Sequence, residues 1–181
     1  MKSVLISINP KWCRLIAQGE KTVEVRKTKP KIDVPFKCYI YCTKDNTDVV
    51  PSRIWWKADK TGFQYILNGK VIGEFICDQI ENGHYVYPFS KYINEKACLS
   101  QEEIEEYAQG KPLSYWHISN LVIYDKPKEL SEFKKAGFMT EEQWLCNLYP
   151  HTHCHYEAWA KRFDITRPPQ SWCFVEAVRD K

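Results

Sequence analysis

The stretch Ser3–Arg26, SVLISINPKWCRLIAQGEKTVEVR, constrains the fold more than any other. Val4, Ile6 and Ile8 alternate with Ser3, Leu5 and Ser7, the two-residue period of a strand. Asn9 then reads as a helix N-cap, and Pro10 as a first helical residue whose missing N–H costs nothing there. Trp12, Leu15 and Ile16 share one helical face, and Gly19 supplies the stop. A second strand follows at once, with Val23 and Val25 on one face and Thr22, Glu24 and Arg26 on the other. Lys21 sits at the junction and reaches that polar face. Such a set suits a solvated arm with an exposed Glu–Arg pair. It equally suits one wall of a site gripping a phosphate or a base, since Lys is a mobile point charge and Arg a bidentate fork.

Further elements are legible downstream. Phe36–Thr43 alternates as a strand, with Cys38, Ile40 and Cys42 opposed to Lys37, Tyr39 and Tyr41. Residues 43–64 read as a polar loop. Two β-rich runs flank Asn68-Gly69 and predict a hairpin. Ser100 with Glu103 makes a capping box, Leu99 with Ile104 a hydrophobic staple, and Gly110 closes that helix. Tyr115–Pro127 and Ser171–Val178 read as late strands. Thr140 with Gln143 opens another helix, which Met139 and Trp144 can staple, and Tyr156–Phe163 reads as a further helical piece. Six or seven strands with helices set between some of them, and no βαβ alternation, point to an α+β chain: a small mixed β-barrel decorated by helices.

Charge and cysteine narrow the setting. The net charge of +3 is too small to imply a nucleic-acid partner. Its distribution is more telling: residues 1–37 carry nine cations (Lys2, Lys11, Arg14, Lys21, Arg26, Lys27, Lys29, Lys31, Lys37) against Glu20, Glu24 and Asp33. Eight cysteines without a leader-like or membrane-spanning apolar run predict reduced thiols in a cytoplasmic protein with no membrane partner. A chain of 181 residues fits one domain, 1–181.

Other candidates are weaker. Trp116-His117 and Gln170-Ser171-Trp172 place an indole beside groups able to read a base edge, although core packing claims such tryptophans too. Trp55-Trp56 between Arg53 and Lys57 has the composition of a single-strand contact, or of a loop pinned to the body. Cys146, His151, His153, Cys154 and His155 are zinc-type ligands, but their spacing matches no metal module and the CxxC pair is missing. No cofactor fingerprint is present, so none is expected.

The blocks NPKWCRLIAQGEKTVEVR, GKVIGEF, YWHISNLVIYDKPKELSEF and RPPQSW, in this order after a first strand, resemble the ASCH domain. The resemblance spans nearly the whole chain except the loop insertion near 43–64 and a helical insertion near 138–166. It implies a PUA-like barrel and an RNA or nucleotide partner bound in a basic cleft around the Gly19-x-Lys21-Thr22 motif. Lys21, Thr22, Glu24, Arg26, Trp116, His117 and Ser171 are the expected ligand-binding residues. Some relatives are hydrolases of 4-acetylcytidine, and one looks like a ribonuclease; an enzyme here would use Lys21 and Glu24. The hydrolases carry a threonine nucleophile where this chain has Glu24, and their glutamate falls near Glu102, Glu103, Glu105 or Glu106 without a unique alignment. A third class is a non-catalytic domain whose 138–166 segment binds a protein.

Overall fold

The structure is a computed structural model that describes residues 2–44, 56–58, 60–62, 64–83, 89–140, 142–143 and 156–177. Strand β1 (Lys2–Ile8) leads into helix α1 (Pro10–Ala17) and then β2 (Val23–Arg26), as the opening stretch predicts. The Asn9 side chain accepts from the Lys11 N–H (3.0 Å). Gly19, at φ +77°, makes the left-handed turn that a side chain would resist. Then come β3 (Phe36–Cys42), β4 (Trp56–Ala58), β5 (Gln64–Ile66) and β6 (Val71–Gly83). Helices α2 (Phe89–Ala97) and α3 (Gln101–Ala108) precede the long β7 (Leu113–Lys128). Helix α4 (Tyr156–Lys161) and β8 (Trp172–Glu176) complete the described elements.

The main sheet runs β2-β7-β6-β3-β1-β8, with β1 and β3 parallel and the other pairs antiparallel. It is a mixed α+β sheet whose hydrogen-bonded ladder does not close, so the expected barrel is only approached. Three register shifts between β6 and β7 bend the sheet. At Gly73 a Cβ would stand 2.3 Å from the Val122 carbonyl, so a larger residue would force these strands apart. Side chains bridge what the ladder leaves open. Arg26 on edge strand β2 donates to the Ser7 carbonyl of β1 (2.5 Å), and Trp172 on edge strand β8 donates to Thr28 just past β2 (3.1 Å).

The curled sheet buries both faces of its central strands. Val4, Ile6, Ile8, Cys38, Ile40, Cys42 and Trp116 fill the inner face. Tyr39, Tyr41 and Leu5 lie outside it, under Phe133, Ile165 and Val175. At the other end Val23 and Val25 pack beneath α2 and α3 against Ile93, Ala97 and Ile104.

Two local expectations are corrected. Asn68-Gly69 does turn the chain, with Gly69 at φ +80°, but not as a hairpin: β5 pairs with β4, while β6 pairs with β3 and β7. The turn is fixed by the Gly69 N–H on the Cys42 carbonyl (2.7 Å), so it joins two sheets. The loop 43–64 contains β4 and the start of β5, and Lys57 donates to the Tyr124 carbonyl (2.7 Å), tying the small sheet to β7. The Thr140–Gln143 box forms, each side chain accepting from the other's N–H (3.3 and 3.0 Å). Trp144, Arg53, Trp55 and the cluster Cys146, His151, His153, Cys154 and His155 lie outside the described residues, and among those described no metal-ligand cluster occurs. No described helix is long and apolar enough to cross a membrane.

Candidate functional site

The polar face of β2 is buried. Lys21, Glu24 and Arg26 are 2%, 5% and 8% exposed, which rules out a solvated arm. The end of α1 aims Lys21: the N–H groups of Glu20 and Lys21 both donate to the Leu15 carbonyl (2.9 and 3.1 Å). From there the Lys21 ammonium donates to the Ala97 carbonyl at the C-terminus of α2 (2.6 Å), where the helix dipole favours a cation. It lies 3.5 Å from Glu24 Oε2. Arg26 Nη2 is 2.9 Å from Glu24 Oε1, so one carboxylate stands between two cations.

This triad carries one net positive charge in a low-dielectric setting. Burial lowers the Lys21 pKa from its ordinary value, and Glu24 partly restores it. Among the described residues Glu24 Oε2 is met only by the Lys21 ammonium at 3.5 Å, and Arg26 Nε is buried without a hydrogen-bond partner. Buried polar groups are nearly always paired; Asn94 Oδ1 and Trp116 Nε1 are left open in the same way, and what sets the Glu24 and Arg26 atoms apart is that both residues line a cleft. Cys13, behind the triad, is held as a thiol because burial pushes its pKa well up. Burial also raises that of Cys98 despite nearby Lys21, so neither thiol is activated.

The triad lies at a cleft of about 520 Å³, within the range that holds small ligands. Asn9 and Trp12 at the start of α1, Lys27 after β2, and Glu103, Glu106 and Tyr107 of α3 also line it. The Lys21 ammonium stands 5.1 Å from the Trp12 ring centre, and Lys27 stands 5.0 Å from that of Tyr107. Helix α3 is held in place by its capping box: Ser100 Oγ accepts from the Glu103 N–H (3.2 Å), and Glu103 Oε2 accepts from that of Ser100 (2.9 Å).

Of the seven expected ligand-binding residues, the structure brings Lys21, Glu24 and Arg26 together on the cleft. The other four stand elsewhere. Thr22 is held by its backbone, donating to the Lys96 carbonyl and accepting from the Ile118 N–H (2.9 Å each). Trp116, the cross-strand partner of Glu24, is fully buried, edge-on to Phe36 at 5.8 Å, and has no ring face to offer a base. His117 Nε2 lies 2.6 Å from Glu81 on β6. Ser171 accepts the Ser7 N–H through its carbonyl (2.9 Å). Trp12 and Tyr107 were missed because each reads as an ordinary helix residue. The one available signal for Trp12 was its helix ending at the Gly19-x-Lys21 turn.

The curled mixed sheet, with a cleft beside its first helix lined by three cations (Lys21, Arg26, Lys27) and three acids (Glu24, Glu103, Glu106) where a basic cleft is expected, has a fold with counterparts among solved structures. More narrowly, the fold is that of an ASCH domain. The chain is similar to the crystal structure of ASCH from Zymomonas mobilis, with 19% identity, 96% of this chain and 87% of the other covered, and a TM-score of 0.57. A serine-to-alanine variant of that protein gives 17% identity, 96% and 88% coverage and a TM-score of 0.58. A tyrosine-to-phenylalanine variant gives 18%, 97% and 91%, and 0.55. Comparison with protein-family models finds no match, and comparison with curated protein sequences finds none either.

Proposed function

We propose that the cleft binds a nucleobase of an RNA or a modified nucleotide. The observation that carries this reading is the buried Glu24 carboxylate on a cleft of about 520 Å³, one oxygen held by Arg26 (2.9 Å) and the other meeting only the Lys21 ammonium, at 3.5 Å, among the described residues. A carboxylate oxygen accepts from an exocyclic amine or a ring N–H, and the open Arg26 Nε complements a neighbouring acceptor. Bases present such donor–acceptor edges. Trp12 and Tyr107 add aromatic surface, and the exposed Lys27 suits a phosphate. The ASCH fold supports the reading by analogy only.

Calorimetric titration with the four ribonucleosides, their 5′-monophosphates and 4-acetylcytidine tests it. The protein should bind at least one of them, and Lys21→Met should weaken that binding about 10- to 100-fold, the worth of a charged hydrogen bond. Trp12→Ala, which leaves the triad intact, should also weaken it. No binding by the unaltered protein, or equal binding by both variants, would refute the proposal.

The lowered pKa of Lys21 favours a second reading, hydrolysis of an N-acylated base with Lys21 accepting a proton. Glu24 replaces the hydroxyl nucleophile of the hydrolases resembled, so attack would fall to a water. Under the binding reading little or no acetate should be released from 4-acetylcytidine. Robust release, lost in Lys21→Met, would favour the enzyme over the binding module.

A further inference from the structure

The two rims of the cleft carry opposite charge. On the α3 side Glu103 and Glu106 line it, and Glu102 and Glu105 stand exposed on the same helix. Lys11 offsets one of these acids through an ion pair with Glu103 (3.5 Å). On the other side the chain leaves β2 as Lys27-Thr28-Lys29-Pro30-Lys31-Ile32, in which lysines alternate with anchors. Thr28 Oγ1 accepts from the Trp172 indole (3.1 Å), Pro30 is buried, and Ile32 packs on the inner core. All three lysines are exposed. Lys27 lines the cleft and donates to the Gln109 side chain (3.3 Å). Lys29 and Lys31 form no ion pair or hydrogen bond among the described residues. Asp33 is the one acid between residues 27 and 37. Alternate residues of a trans chain lie at most about 7 Å apart, so the exposed Lys29 and Lys31 follow closely on Lys27 at the cleft, whose ammonium itself turns to Gln109 and the Tyr107 ring of the α3 side.

We propose that the ligand is one nucleotide within a single strand, and that the strand leaves the cleft across residues 27–32, with its phosphates on Lys27, Lys29 and Lys31 and away from the acidic α3 rim. This rests on the nucleobase reading of the cleft and adds the partner and its direction. A phosphate chain routed over α3 would meet uncompensated carboxylates, whereas the row on 27–32 releases counterions as it is neutralised.

The test is fluorescence anisotropy with a short labelled single-stranded RNA across a salt series, on the whole chain. Each phosphate contact contributes about 0.7 to the slope of log affinity against log salt, so Lys29→Ala/Lys31→Ala should flatten it by about 1.4 and weaken binding about 25-fold at 0.1 M salt. Lys126→Ala/Lys161→Ala, which removes the same charge at two other exposed lysines, should leave the slope unchanged. Nucleoside binding should be unaltered in both double variants, because none of the four residues lines the cleft. An unchanged slope in Lys29→Ala/Lys31→Ala, or an equal loss in the control, would overturn the strand path. Failure of the cleft reading itself would show differently, as unaltered protein that binds no nucleoside.

Discussion

Replacing Glu24 by Gln keeps the shape of the side chain and removes the charge between Lys21 and Arg26. The amide oxygen still accepts from Arg26 Nη2 (2.9 Å in the native pair), but the amide nitrogen then faces the Lys21 ammonium, donor against donor, across 3.5 Å. Two cations, 2% and 8% exposed, are left without a counter-ion. Breaking a buried pair in this way costs about 3–5 kcal/mol. The cost has a ceiling, because Lys21 can give up its proton, at 1.36 kcal/mol for each unit of pKa shift. A loss of about 3 kcal/mol at pH 7 is therefore expected, a fall of about 6–12 °C in melting temperature for a chain of this size. The pH dependence follows from the direction of the Lys21 shift. Its pKa is lowered in the fold, and further lowered without Glu24, so the unfolded chain binds more protons below the ordinary value of 10.5. Stability of the variant then rises with pH towards that value, and the gap to the native protein narrows. Urea unfolding of both proteins at several pH values between neutrality and that limit measures this. A loss under about 1 kcal/mol, typical of an exposed ion pair, with no dependence on pH would refute the buried triad.

Ser100→Ala removes one half of the capping box of α3 and should cost about 1 kcal/mol, read by urea unfolding. A thiol reagent should modify Cys98 and Cys173, which are half-buried, and spare Cys13, Cys38, Cys42 and Cys77 until the protein unfolds; mass spectrometry of labelled peptides identifies the sites. Burial pushes the Cys77 thiol from 9.0 to about 12, so the folded state holds a proton that the unfolded chain releases, and stability should fall as pH rises between those values. The Cys146–His155 stretch predicts substoichiometric zinc, and a chelator should leave the melting temperature unchanged; one tightly held zinc per chain would contradict that, since a structural metal contributes folding energy directly.

The alternation around Val23 and Val25 was enough to place Thr22, Glu24 and Arg26 on one face, with Lys21 reaching it from the turn after the glycine stop. It could not show that the face is buried. A polar face ordinarily meets water, and here the sheet curls until Arg26 reaches Ser7 on β1, a contact between strands that are not ladder neighbours. Asn68-Gly69 failed as a hairpin signal for a related reason: turn chemistry fixes how the chain bends, while the partner strand is chosen by the rest of the sheet. Trp116 shows the same limit. Its pairing with Glu24 is a strand register, yet whether an indole faces a cleft or a core depends on Phe36, which arrives from β3. The Asn9 and Ser100 caps were legible because their partners lie within three residues.

The central claim is that the Lys21–Glu24–Arg26 cleft receives a base. Crystals soaked with the ribonucleosides and their 5′-monophosphates test it most directly. The account predicts a base in the cleft, its hydrogen-bonding edge within about 3.2 Å of the Glu24 carboxylate and its ring against Trp12 or Tyr107. A cleft still without a ligand at saturating concentration, with the nucleotide bound on another face of the protein, would contradict it.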